Sequence, residues 1–373
     1  MGFLENLQPY RGKRAFIRGY YGYRNIGDEA MLHVLVIKLK KAGIEVIVAS
    51  KDPKYIEKVH NVKAVYSGPN LNFVRAFLSS DILIEGPGNK HGFLSIIDFG
   101  LPLVAKMLRK EVWYIGVGLN PQKWKRQPTY GLKGDITYGL LKQFALRYNF
   151  NNIVSVVLVR DEFSREFLVK CGVEDRKIGI IRDLAYFLEV NKEVENKVIQ
   201  LLSDLGVDIN HDKIIGISVR QFKNECINKY LAEQICNTIK RVCAALPSAK
   251  FIFIPFSLRE GDNDLEFVRK LKVCMPTSSF KSKILTFIPT EMDPKLIKGV
   301  IKFCSFLIGV RYHSQIFAES YGIPFVAIIY DPKSEDVSKK AIFRFYVNNF
   351  DGEKVASKII EVFTKHDSGN IGK

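Results

Sequence analysis

The 373 residues contain no Cys-x-x-Cys pair, no apolar run near the ~18 residues of a membrane helix, and no low-complexity tract or short repeat. The first absence argues against a zinc ribbon or a dithiol redox site. The six cysteines (Cys171, Cys226, Cys236, Cys243, Cys274 and Cys304) fall in segments that read as helix or strand, and are expected to be buried, reduced thiols. The second absence confines any membrane contact to the periphery, and the third excludes disordered and solenoid architectures. Acid is also scarce. Asp and Glu number 39 against 56 Lys and Arg, for a formal net charge of +17. A balance this basic favours phosphorylated substrates, an anionic membrane face or nucleic acid as partners, and says nothing about fold. The amino terminus, Met1 to Asn6, lacks a signal-peptide core and has Asn6 where myristoylation wants Ser or Thr, so the expected location is the cytoplasm.

What is present is a rhythm of short apolar runs alternating with segments of helical period, the pattern of βα units around parallel sheets. Strands are predicted at Ala15 to Tyr20, Glu45 to Ala49, Val62 to Tyr66, Ile82 to Glu85, Val112 to Val117 and Val154 to Val159. Helices are predicted at Ala30 to Ala42 and Leu101 to Leu108. A second set of strands is predicted at Ile214 to Val219, Phe251 to Pro255, Ile284 to Phe287, Phe306 to Val310 and Phe325 to Ile329. A single core rarely grows past ~250–300 residues. The chain is therefore expected to be α/β, with two Rossmann-like domains, 1–188 and 189–373, facing across a cleft, and with the last helix able to pack back on the first. Ligands of such sheets lie beyond the carboxyl ends of the strands.

At those ends stand the candidate residues. The first strand runs into Gly19-Tyr20-Tyr21-Gly22-Tyr23-Arg24-Asn25-Ile26-Gly27-Asp28-Glu29, which is neither a dinucleotide fingerprint nor a Walker loop. Acids at this spot would repel phosphate but suit sugar hydroxyls. The fourth strand ends in Glu85-Gly86-Pro87-Gly88-Asn89-Lys90-His91-Gly92, where His91 reads either as a ligand-facing group or as a loop histidine. Asn25, Asp28, Glu29, Lys90 and His91 form the candidate acceptor side. Arg160 follows the sixth strand and Arg220 the first strand of the second half, each with a planar fork suited to carboxylate or phosphate. The densest constellation is Gly309-Val310-Arg311-Tyr312-His313, with Asp331-Pro332-Lys333 on the next strand tip. An anion held by Arg311 and Lys333 would lie beside an imidazole able to transfer a proton. Between Lys106 and Arg147 nine bases stand against two acids, with Trp113, Tyr114, Trp124, Tyr130 and Tyr138 interleaved. Residues 120–134 of that stretch read as a long loop fitted to an anionic membrane surface or a sugar phosphate.

These motifs together, from Gly19 to Ala30, from Val159 to Ser164, and from Gly309 to His313 with Asp331-Pro332-Lys333, resemble the polysaccharide pyruvyltransferases, nearest the branch that pyruvylates N-acetylmannosamine in secondary cell wall polymers. The resemblance implies a GT-B-like pair of Rossmann domains and transfer of the enolpyruvyl unit of phosphoenolpyruvate to two sugar hydroxyls as a ketal. Arg160, His313 and Lys333 fall on the positions associated with donor binding and catalysis, and Arg311 stands in the same Arg-x-His motif. No cofactor and no metal are expected, and no nucleic acid. The acceptor is expected to be a lipid-linked glycan met at the inner face of the membrane. Many relatives carry three consecutive glycines where this chain has Gly86-Pro87-Gly88, a departure that bears on the acceptor. The alternatives are a GT-B glycosyltransferase with Glu319 on a nucleotide ribose, and a non-catalytic protein binding a glycan or lipid headgroup.

Overall fold

The computed structural model describes residues 2–90, 96–119, 143–273, 282–289, 291–331 and 334–369. It divides into two units, Met1–Tyr23 with Asp28–Leu184, and Arg24–Gly27 with Ala185–Lys373. The division falls four residues before the expected boundary, and the second unit takes in a short piece of the first strand-to-helix turn.

Among the described residues the first unit holds eight strands: β1 Arg14–Arg18, β2 Glu45–Ser50, β3 Lys63–Tyr66, β4 Ile82–Glu85, β5 Gly88–Lys90, β6 Glu111–Leu119, β7 Val156–Val159 and β8 Ile178–Ile180. They form one parallel sheet in the order β3-β2-β1-β4-β6-β7-β8, with β5 pairing the far end of β6. The second unit holds β9 Lys213–Ser218, β10 Ala249–Phe253, a small hairpin of β11 Leu258–Arg259 and β12 Asp262–Asn263, then β13 Ile284–Thr286, β14 Phe306–Gly309, β15 Phe325–Ile329 and β16 Phe343–Tyr346. Its parallel sheet runs β13-β10-β9-β14-β15-β16. Both sheets step outward from their first strand and then return to its other side, the doubly wound order. Each therefore has a switch point, β1 beside β4 and β9 beside β14, where a ligand crevice opens.

The central strands are continuous apolar runs because helices cover both faces. Phe251, Phe253, Phe306 and Ile308 of the second sheet meet Leu231, Ile235 and Ile239 of the helix Glu225–Ala245 in one core. The last helix, Gly352–Gly369, packs on that same helix: Val355, Ala356, Ile359 and Phe363 join this core, and Thr238 Oγ donates to the Gly352 carbonyl at 3.0 Å. Among the described cysteines, Cys171, Cys236, Cys243 and Cys304 are buried, whereas Cys226 in the first turn of Glu225–Ala245 is exposed. No described helix is long and apolar enough to cross a membrane.

Lys298 lies inside the second unit with its ammonium on the carbonyls of Tyr186 and Leu188 at 3.0 and 2.8 Å. Burial pushes it from the usual 10.5 down to about 8. The unfolded chain thus keeps this proton over a range where the folded chain has lost it, and stability gains as pH rises from about 8 toward 10. Urea unfolding of wild type and Lys298→Met at pH 7 and 9.5 should show the wild type gaining on the variant by at most about 1.4 kcal/mol per pH unit.

Candidate active site

The site is built from the second sheet outward. The apolar run of β14 delivers Val310 and then Arg311, which in extended conformation opens the helix Tyr312–Ser320. Ser314 secures that opening, donating from N and Oγ to the Arg311 carbonyl at 3.0 and 2.6 Å. The Arg311 guanidinium turns into a cradle of two carboxylates. Nε donates to the Asp264 oxygens at 3.0 and 3.2 Å, Nη1 and Nη2 donate to Asp262 at 3.1 and 3.0 Å, and Nη2 also reaches Asp264. Burial opposes the charge of Arg311, but Asp264 and Asp262 outweigh it and push its pKa up. Burial pushes the Asp264 carboxyl up, against the pull of Arg311 and the Phe256 amide. Its oxygens accept N–H from Phe256 at 2.8 Å, Ser257 at 3.1 Å and Arg311, donors that suit a carboxylate.

Arg311 is therefore a brace, its nitrogens engaged by Asp262 and Asp264. The more accessible cation here is Arg220, at the end of β9, about a third exposed. Its Nε shares Asp262 at 3.1 Å and its guanidinium lies 4.8 Å above the Tyr330 ring, just past β15. The carboxyl edges of β9, β14 and β15 thus gather Arg220, Arg311 and Tyr330 around the switch point.

The same brace reaches the turn Arg24–Gly27. Ile26 N donates to the Phe256 carbonyl at 2.9 Å, Asn25 bridges Ser257, and Asn25 Oδ1 accepts from Gly27 N at 3.1 Å. Asn25 caps the helix Ile26–Lys41, which explains why it begins four residues before the predicted Ala30. Gly27 in turn lies under the His313 ring: a Cβ built there would stand 1.8 Å from Nδ1. Asn25, Gly27, Arg311 and His313, far apart in sequence, are neighbours in one unit. Gly27→Ala should displace the imidazole and cut turnover by at least about tenfold, as misplacement of a catalytic group does. A thermal melt close to wild type would show that the loss is local.

In the first unit Arg160 follows β7 with its side chain 2 % exposed. Nη2 donates to Asn89 Oδ1 at 2.6 Å, Nε to Asp161 at 3.3 Å, and Nη1 lies 3.7 Å from Asp183. The fork covers Gly118, where a Cβ would meet Nε at 2.5 Å. Asp28 lies against the backbone that begins β5, its Oδ1 3.0 Å from where a Gly88 Cβ would stand, so two predicted acceptor segments do meet. Glu29 is wholly buried. It accepts from Gly22 N at 2.8 Å and pairs His60 Nε2 at 3.0 Å, with His33 3.1 Å beyond, and so closes the 22–29 turn from within. The Lys90 backbone belongs to β5. His91, Lys333 and the 120–134 segment lie outside the described residues.

Sequence reasoning missed Asp262, Asp264, His33 and His60. His33 is one helical turn beyond Glu29, a spacing that puts both on one face of Ile26–Lys41. The acids of Asp262-Asn263-Asp264 carry no local sign that they meet an arginine 47 residues on. Glu319, the candidate ribose ligand, is held by the Tyr186 hydroxyl.

Solved structures share this fold at low identity. A UDP-GlcNAc 2-epimerase of Neisseria meningitidis bound to UDP-GlcNAc is 14% identical over 94% of this chain and 91% of that one, with a TM-score of 0.57. One from Methanocaldococcus jannaschii is 14% identical over 94% and 92%, with a TM-score of 0.58. The Anabaena protein HepE in complex with UDP-glucose is 12% identical over 95% and 91%, also at 0.58. These matches establish the fold class as GT-B-like, with two α/β units. No curated protein matches the sequence. The polysaccharide pyruvyl transferase family model matches residues 25–332, and the chain belongs to that family.

Proposed function

We propose that the protein transfers the enolpyruvyl group of phosphoenolpyruvate to two hydroxyls of a glycan sugar, forming a cyclic pyruvate ketal and releasing phosphate. The observation that carries this reading is the seating of His313. It stands at the start of a helix on the ligand edge of its sheet, fixed by the Arg311 brace and packed on Gly27, with Arg220 and Asn25 in the same unit.

In the proposed reaction the His313 imidazolium gives its proton to the methylene carbon of the donor, and an acceptor hydroxyl adds to the neighbouring carbon, losing its own proton. Phosphate leaves, the second hydroxyl closes the ring, and its proton is released. Arg220 and Lys333 are assigned to the anionic groups of the donor, where a fork and a point charge each lower the cost of holding them. Arg160 keeps the donor-binding role that the family resemblance gives it, and Arg160→Lys should raise the KM for phosphoenolpyruvate. Arg311 is a positioning residue. Asn25 and Asp28 are assigned to the acceptor, with Lys90 and His91, while Glu29 shapes their turn. No cofactor or metal takes a step in this scheme.

The acceptor is proposed to be lipid-linked and presented at the cytoplasmic membrane face, with the basic, aromatic segment 120–134 meeting anionic lipid. Sedimentation with anionic liposomes at low and high salt tests that contact, and equal recovery in the supernatant with and without liposomes opposes it. The chemistry is tested by phosphate release from phosphoenolpyruvate across a panel of sugar-linked lipid mimics. Release that depends on acceptor supports it. Absence of release, with binding of a nucleotide sugar, favours glycosyl transfer.

A further inference from the structure

Two helices of the first unit are apolar on both faces. On their inner side Ala76 and Phe77 of Leu71–Leu78 and Ala105 of Ile96–Met107 join Phe16, Leu83, Val112 and Tyr114 in the core. On their outer side Leu71, Val74 and Leu78 form a stripe at helical spacing, with Leu71 61% and Leu78 54% exposed. A second stripe of Leu103, Val104, Met107 and Leu108 follows on the other helix, with Met107 75% exposed. Lys110 joins the carboxyl ends of the two helices, donating to the Leu78 carbonyl at 2.9 Å. A helix apolar all round is normally covered on all sides, and a contiguous exposed patch marks an interaction surface.

Arg75, Lys106 and Arg109 lie in segments 71–80 and 101–110, which contain no acid, while Asp81 and Glu111 follow them and Asp81 acts on Lys110, so bases outnumber acids around the stripes. Arg109 also departs from what folding alone would select. It occupies a left-handed position at the end of its helix, φ 58°, where glycine is the ordinary choice. An arginine there costs the fold about 1 kcal/mol or more.

We infer that the outer stripes of Leu71–Leu78 and Ile96–Met107, rimmed by Arg75, Lys106 and Arg109, are a docking face for an anionic bilayer surface. A second copy of this chain would bring its own bases to the same patch, and a polar partner would leave the leucines unmatched. Acyl chains with anionic headgroups match both features. The inference deepens the proposed membrane-presented acceptor and adds a contact separate from segment 120–134.

The test uses the full chain with no substrate, so it stands or falls apart from the pyruvyl chemistry. Vesicles of phosphatidylcholine with phosphatidylglycerol are compared with phosphatidylcholine alone, for wild type, for Leu78→Ser with Met107→Ser, and for Lys106→Glu with Arg109→Glu. Wild type should sediment with the anionic vesicles. Both double variants should partition at least tenfold more weakly while keeping the wild-type circular dichroism spectrum, and residual wild-type binding at high salt should vanish in the serine variant. Wild type that stays in solution, or variants that sediment as it does, would overturn the inference. So would a wild-type dimer in sedimentation velocity that the serine variant dissociates, which would make the patch an interface between copies.

Discussion

On the proposed mechanism, replacing His313 with Gln should lower kcat for phosphate release from phosphoenolpyruvate by about 10²–10⁴, the usual contribution of a positioned general acid. Glutamine nearly preserves the ring's volume and keeps a hydrogen-bonding end, so the helix Tyr312–Ser320 and its packing on Gly27 are retained. What should be lost is the proton that the proposed mechanism gives to the methylene carbon. The proposal assigns the donor to cations on other strands, so its KM should move by no more than a few fold, and kcat and kcat/KM should fall together. Steady-state phosphate release with saturating acceptor measures both. A variant with wild-type kcat and a strongly raised KM would make His313 a binding residue and remove proton transfer from its role.

The second large effect is on stability. Asp264 is buried, caps the amides of Phe256 and Ser257, and holds Arg311. Asp264→Ala leaves Arg311 buried beside Asp262 alone, and removal of one partner of a buried pair costs about 3–5 kcal/mol. That is a large fraction of the ~5–15 kcal/mol that holds a domain folded. Asp264→Leu combined with Arg311→Met should recover part of the loss, because apolar groups of similar volume need no partner. Activity should stay lost in both, since the start of the His313 helix and the contacts of Phe256 with Ile26 and of Ser257 with Asn25 depend on the brace. Denaturant unfolding gives the comparison. A loss below about 1 kcal/mol in the single variant would show that the pair bears little weight.

The fold was legible where burial is one-dimensional. Every predicted strand lies on an observed one, because a buried parallel strand is a plain apolar run. The strands not foreseen are those without such a run: β5 is Gly88-Asn89-Lys90, β8 is Ile178-Gly179-Ile180, β11 and β12 are the two-residue arms of a hairpin, and β16 alternates as Phe343-Arg344-Phe345-Tyr346 at the edge of its sheet. The site was legible as residue types at strand ends and less so as roles. Arg311 reads as an anion grip until Asp262 and Asp264 are placed around it, and Glu29 reads as a helix-dipole acid until His60, 31 residues away, is found against it. Both pairings are nonlocal, and no periodicity encodes them. Gly27 shows the same limit: a turn glycine in sequence, it is in space the floor of the His313 ring.

The most direct test of the account is the reaction run in deuterium oxide with phosphoenolpyruvate and an accepted glycan, followed by mass spectrometry and proton NMR of the product. Protonation of the methylene carbon during ketal formation predicts a cyclic pyruvate ketal whose methyl group carries one deuterium from solvent, formed together with inorganic phosphate. A product that keeps a vinyl group, or glycan extension that consumes a nucleotide sugar and leaves phosphoenolpyruvate untouched, would contradict it.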